Sequence, residues 1–442
     1  MARFLPFFFS ALLAAGLANA SDTPTDLLAN EIAARSEMQR NLEELCDDIG
    51  PRMTGTPGLL RAQEWAMRKL ASYGTRMVRL ESYELGRPWQ RGPVHARLLN
   101  ASGIQLNVMQ KAWTEGTHGA IRADVAVLNV KTLADFNAAL PALKGKIVLA
   151  EATPREAPKQ ALRDAGVAAV LQVSARTDGL QDMWGGPGQR YDSNAAIITR
   201  EHANLLKRLL ARGITPRIEL DLKGGFATKP VKAYNVIADF PGSDPGGEMV
   251  ILGAHLDSWD LSSGATDNGA GVVTMLEVMR SMRASGLRPK RSLRIVLFSG
   301  EEQGLLGSKA YVEKHRDELA RIQAVLVQDA GSGRILAFPD MEEESWYGPL
   351  KDALAPTKTL GEIDVHYAKG FGSDQDTFFK KGVPAFSPLQ EMRDYRTHTQ
   401  HSELDTVDHI DHAALVQAAQ VTAILAWGLL NGERLPQSAG KN

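Results

Sequence analysis

Over residues 228–433, short apolar runs alternate with helical patterns, and this alternation constrains the fold more than any other feature. Met249-Val250-Ile251-Leu252, Leu293-Arg294-Ile295-Val296-Leu297-Phe298 and Ala324-Val325-Leu326-Val327 read as buried strands. Between the first two, Val272, Met275, Leu276, Met279 and Met282 recur at helical spacing, and Ala413 to Leu430 reads as a closing helix. Strands joined by helices of this length run parallel in one layered α/β sheet.

The rest of the chain divides around that unit. Ile32, Met38, Leu42 and Leu45 space as one amphipathic helical face that Gly50-Pro51 stops. A second helix carries Leu59, Ala62, Ala66, Met67 and Leu70 and ends before Gly74, with a strand around Met77 to Leu80. Residues 96–227 differ in character. Short strands dominate (Val125 to Leu128, Lys146 to Leu149, Ala169 to Val173), with a helical stretch from Lys159 to Ala165. No chemical motif repeats there. The expected organisation is one catalytic domain from 21–95 and 228–442, with 96–227 inserted as an accessory domain.

Residues 1–20 fit a secretory leader, with Arg3, an apolar run from Leu5 to Leu17, and Ala18-Asn19-Ala20 as a small-x-small cleavage site. No later segment reads as long and apolar enough to cross a membrane. The mature protein is therefore expected to be exported, to the periplasm or the cell exterior. A net charge of −2 gives no basic field for nucleic acid or an anionic membrane. Cys46 is the only cysteine, so an internal disulfide and a multi-cysteine metal site are both excluded, and a buried inert thiol is expected. Asn100-Ala101-Ser102 matches a glycosylation acceptor, relevant only in a eukaryotic host.

Chemistry gathers where these strands end. The first runs into His255-Leu256-Asp257, and Asp267-Asn268-Gly269 opens the next helix. The second runs into Ser299-Gly300-Glu301-Glu302, the third ends at Asp329, and His401 follows near the C-terminus. Open α/β sheets bind ligands beyond the carboxyl ends of their strands. Two histidines with several carboxylates suit Zn²⁺, and two ions sharing a bridging carboxylate would use them all. A separate carboxylate must then take the proton of the attacking water.

The runs Asn235-Val236-Ile237-Ala238, Gly253-Ala254-His255-Leu256-Asp257-Ser258, Gly264 to Gly271 and Gly300-Glu301-Glu302-Gln303-Gly304 resemble the co-catalytic zinc aminopeptidase family. The branch they resemble includes plasma glutamate carboxypeptidase and secreted bacterial relatives. The resemblance extends more weakly to Gly50-Pro51-Arg52 and Gly382-Val383-Pro384. It implies a three-layer α/β/α fold with a mixed central sheet, and 96–227 resembles a β-rich protease-associated domain. It also implies two zinc ions per chain. Asp267 would bridge them, His255 and Asp329 would complete one site, and Glu302 and His401 the other. Glu301 would be the general base, Asp257 would orient His255, and the Asp267–Asn268 peptide would be cis. His398 departs from the pattern and is read as pocket lining or surface. Tyr395, Ser373 and Asp374 are candidate substrate contacts.

The implied substrate is a short peptide, and a homodimer is admitted. Three readings stay open. An aminopeptidase or dipeptidase would hold a free α-amine. A carboxypeptidase would grip the terminal carboxylate with Arg393 or Arg396. A non-catalytic binding protein would need to have lost ligands, and all five positions are intact.

Overall fold

The apolar runs form the strands they predict. A computed structural model describes residues 22–100, 103–158, 160–187, 194–244 and 247–439. The leader, Ala101, Ser102 and Lys159 lie outside them. Six strands make the main sheet: β1 (Arg76–Gly86), β2 (Val231–Phe240), β3 (Met249–His255), β4 (Ser292–Phe298), β5 (Ile322–Val327) and β6 (Ala385–Phe386). Their order is β1-β2-β4-β3-β5-β6. The four from β4 to β6 are mutually parallel, and β1 and β2 pair antiparallel, so the sheet is mixed. The central strands β3 and β5 are buried along their whole length, as expected for a parallel sheet covered on both faces.

Helices Pro24–Arg35, Ala270–Ala284 and His412–Asn431 pack on one another against the sheet. Leu306–Lys314 and Gln375–Phe379 form a second layer, where Phe298, Tyr311 and Phe378 meet with ring centroids 5.8–6.2 Å apart. This is the three-layer α/β/α arrangement. The expected N-terminal amphipathic run is broken: one helix ends at Arg35 and the next begins at Met38. Ser36 and Glu37 interrupt it, because the Ser36 hydroxyl accepts from Met38 N (3.2 Å) and Glu277 accepts from Glu37 N (3.1 Å). Ile32, Met38, Leu42 and Leu45 nonetheless all bury. Cys46 is buried as expected, and burial pushes its thiol up to about 12.

One expectation is overturned. Helix His412–Asn431 has 20 residues and a mean hydropathy of 1.7, enough by length and composition to cross a membrane. Its neighbours explain that composition: 78% of the apolar window is buried inside the protein, where the helix serves as a core element.

Seven strands between Val94 and Leu222 form a separate sheet that includes parallel strands Ile121–Asn129, Ile147–Ala152, Ala169–Val173 and Ala195–Ile198. It starts two residues before the expected boundary of 96. It is also less purely β than expected, since helices Leu133–Ala139 and Arg200–Ala211 flank it.

Candidate metal centre

Backbone clamps at the carboxyl edge of the main sheet set the site. Arg52 is fully buried. Its guanidinium donates to Leu256 O (2.9 Å), Gly50 O (3.1 Å), Gly264 O (2.8 Å) and Ser263 O, fixing the loop after β3. Asn235 on β2 accepts from Ser299 N (3.1 Å) and donates to Gly307 O (2.9 Å), holding the turn that carries Glu301 and Glu302. Gly307 has to be glycine, because a Cβ there would lie 2.3 Å from Asn235 Oδ1 and from Ser299 O. Asp405 accepts from Thr266 N (2.6 Å), Thr266 Oγ1 (2.7 Å) and Asp267 N (3.1 Å), clamping the segment that presents Asp267. The Asp267–Asn268 peptide is cis.

These clamps bring the five expected donors together. His255 Nε2 stands 3.2 Å from Asp267 Oδ1 and 3.2 Å from Asp329 Oδ1. His401 Nε2 stands 3.2 Å from Asp267 Oδ2 and 3.1 Å from Glu302 Oε2. The two oxygens of Asp267 thus face different histidines. Glu301 also lies beside His255 and Asp329, its carboxylate within 4.8 Å of both donor atoms.

The donor set fits divalent ions. Ligands about 2.0–2.1 Å from a tetrahedral zinc stand about 3.3 Å apart, close to the spacings found here. His255 Nδ1 is 2.9 Å from the Asp257 carbonyl, which fixes Nδ1 as the donor and leaves the Nε2 lone pair facing the carboxylates. Asp267 Oδ2, Glu302 Oε1 and His401 Nδ1 are buried without a hydrogen-bond partner. Asp267 Oδ2 and His401 Nε2 approach to 3.2 Å, close to the spacing of two ligands on one zinc. Among the described residues, no Lys or Arg side chain bonds any of these carboxylates. Between Asp267, Glu302 and His401 lies a cavity of about 10 Å³, room for one small ion or water. Roomier grooves lie elsewhere on the surface, so chemistry rather than size picks out this place.

Electrostatics carry the same message. Burial raises Glu301 well above the carboxylate range, with Asp329 adding to it, and burial pushes Glu302 up to about 7. Burial alone would lower both histidines. Asp329, Asp257 and Asp267 instead raise His255, while Glu302 and Asp267 raise His401. Without cations the cluster holds protons in place of metal.

The other expected residues fall less simply. The Asp257 carboxylate is 3.7 Å from His255 Nδ1, farther than its own carbonyl. It accepts from Glu301 N (3.3 Å), Glu302 N (3.4 Å) and Thr54 Oγ1 (3.1 Å), so it anchors the glutamates as well. Tyr395 is buried, its ring against Gly331, and burial and then Asp267 raise its hydroxyl. Ser373 and Asp374 are wholly buried at the start of helix Gln375–Phe379, with Ser373 Oγ and both Asp374 oxygens lacking a hydrogen-bond partner. Burial lifts Asp374 to about 7. His398 is half-buried and meets Thr397 at 2.8 Å, away from the donors. Arg393 is committed to Asp411, and Arg396 lies over the Phe371 ring at 4.4 Å.

Sequence reasoning missed Trp184, whose ring meets His401 edge-on with centroids 4.3 Å apart. It also missed the clamping role of Asp405, for which the Asp405-Thr406 pattern after His401 was the available signal.

Known proteins resemble this chain in sequence and in fold. The model of peptidase family M28 matches residues 235–426. Carboxypeptidase Q of Xenopus laevis is 30% identical over 380 residues, covering 82% of this chain and 79% of that protein. The crystal structure of a peptidase M28 precursor from Shewanella amazonensis superposes with a TM-score of 0.82 at 28% identity, covering 94% of this chain and 98% of that one. A zinc aminopeptidase from Bacillus subtilis shares the fold, with a TM-score of 0.69 at 19% identity over 90% of this chain and 98% of its own.

Proposed function

The chain belongs to peptidase family M28 and is a zinc-dependent exopeptidase, and from that premise we propose that it is an exported two-zinc enzyme releasing residues from the free N-terminus of dipeptides and short peptides. The observation that carries the two-ion reading is Asp267, each of whose carboxylate oxygens stands 3.2 Å from a different histidine Nε2. Asp267 would bridge, His255 and Asp329 would hold one ion, and Glu302 and His401 the other. When bound, such a pair polarises the peptide carbonyl and acidifies the attacking water.

The remaining steps belong to the chain's own side chains. Glu301 takes the water's proton and delivers it to the leaving amine. Its place beside His255 and Asp329 supports that role. Asp257 holds the Glu301 and Glu302 amides and so keeps the base in register with its neighbour. The Tyr395 hydroxyl, kept neutral by burial, is suited to donate to the developing oxyanion. Export rests on the leader at residues 1–20.

A carboxypeptidase reading draws on the name of the Xenopus relative. Of the two arginines it would use, Arg393 is paired with Asp411, which leaves Arg396. Rates on N-acetylated and C-amidated versions of one dipeptide separate the readings. The N-terminal reading expects acetylation to abolish turnover and amidation to spare it; the reverse pattern overturns it.

A further inference from the structure

One loop of the inserted sheet is stitched onto the segment that presents His401. Met183 N donates to His401 O (2.8 Å), Gln181 N to Glu403 Oε2 (3.1 Å), and the Arg176 guanidinium to Gln400 O (2.7 Å). His401 itself sits at φ +58°, a conformation that non-glycine residues rarely adopt, and the bond from Met183 helps hold it there. Beyond Trp184 the loop passes close to the residue after Glu302, since a Cβ on Gly186 would lie 3.0 Å from Gln303 O. Residues 181–186 thus run from His401 to Gln303 along one side of the donor set.

Two tryptophans flank His401, and they are not equivalent. Trp259 is 4% exposed, as expected of packing alone, whereas Trp184 is 48% exposed although its ring is the nearer, at 4.3 Å against 6.0 Å. The Trp184 ring is also fixed. Its Nε1 donates to Asp182 Oδ2 (3.1 Å), and Asp182 is itself held by Ser174 Oγ (2.8 Å) and Ala175 N (3.1 Å). With its polar edge satisfied, the open surface is apolar, rigid and beside the donors. Such a surface gains by being covered, and an oriented aromatic face needs no reordering to be covered.

We infer that Trp184 determines specificity: its open indole surface is the wall against which an apolar substrate side chain lies at the Glu302–His401 half of the site. The preferred substrates then carry an aromatic or branched aliphatic residue at that position. This rests on the exopeptidase reading above.

The test compares zinc-loaded wild type, Trp184→Ala and Trp184→Phe on Phe-Ala, Ala-Phe and Ala-Ala, with zinc content measured for each. Wild type should favour one phenylalanine dipeptide over Ala-Ala by about tenfold in kcat/KM. Trp184→Ala should bring that ratio near one through KM, losing far more on the preferred phenylalanine dipeptide than on Ala-Ala and keeping its zinc content, and Trp184→Phe should keep most of the preference. A ratio that survives Trp184→Ala overturns the inference. So does an equal loss on all three substrates with falling zinc, which would make Trp184 a prop for His401. A second arm titrates L-phenylalaninamide and glycinamide against wild type and Trp184→Ala by calorimetry. Phenylalaninamide binding tighter by about tenfold and lost in Trp184→Ala, in a protein that cleaves no dipeptide, would sink the exopeptidase reading and leave Trp184 as the wall. No difference between the two amides in a wild type that prefers Phe-Ala would sink the wall.

Discussion

The two sheets of this molecule are both mixed and differ in what their strands run into. Both carry at least four parallel strands. In the inserted sheet the residues at the strand ends are satisfied: Asn129 donates to Glu151, Glu151 pairs with Lys207, and Ser174 donates to Leu180 O and Asp182. At the same edge of the main sheet, Asp267, Glu301, Glu302 and Asp329 crowd around two histidines with no Lys or Arg bonded to any of them among the described residues. Buried like charges of this kind are unsustainable unless protonated or neutralised by cations. Parallel architecture offers a place for chemistry; the residue after each strand decides whether it is used.

The sharpest test of that contrast is Glu301→Gln. Loss of a general base lowers kcat by about 10²–10⁴-fold, and zinc content should stay at the wild-type level. Retained turnover would return Glu301 to the ordinary acids of the inserted sheet.

Next in size is the pH response of chelator-treated protein. Burial lifts Glu302, Asp374 and Asp405 to about 7 in the folded state. The folded form then holds protons that the unfolded chain gives up between about pH 4 and 7, so folded stability falls as pH rises through that window. The histidines act in the same direction, since a raised folded value gives stability that is lost as pH rises through it. Asp267, which burial alone would raise, is held low by His255 and His401, and its contribution is lost only as pH falls below about 4. Melting curves should show the chelated protein losing roughly 5 °C or more from pH 5 to pH 8, with the gain from added zinc widening over the same range. A flat profile would erase the distinction between the sheets.

Asp405→Asn should weaken zinc binding by about 10–100-fold, because its carboxylate holds the backbone that presents Asp267. Competition with a chelator reads this directly. Smallest of all is Glu151→Gln at an inserted strand end, expected to change stability by less than about 0.5 kcal/mol and activity hardly at all.

Much of the main sheet was legible because its signals are local. His255, Asp267, Glu301, Glu302 and Asp329 each follow an apolar run or open a helix, and the strand rule places such residues at one edge. What was hidden depends on partners distant in sequence. Trp184 sits in a loop without periodicity, and its partner His401 is known only from the packed chain. Helix Arg200–Ala211 buries only Ala203, Leu206 and Leu209 while its charged side faces water, so a scan for strands passed over it. The closing helix His412–Asn431 was legible as a helix, but its composition does not tell burial within a protein from burial in a bilayer, which select the same residues. Which atom of Asp257 meets His255 was not legible either: its carbonyl lies 2.9 Å from Nδ1, while the carboxylate is engaged by the glutamate amides.

Metal content tests the centre most directly. Wild-type protein and Asp267→Ala, purified alike and equilibrated with limiting free zinc, should hold two ions per chain and close to none, because the substitution removes an oxygen from both positions at once. A fully active wild type with one ion or fewer, or an Asp267→Ala chain that keeps both, would contradict the shared carboxylate on which the mechanism rests.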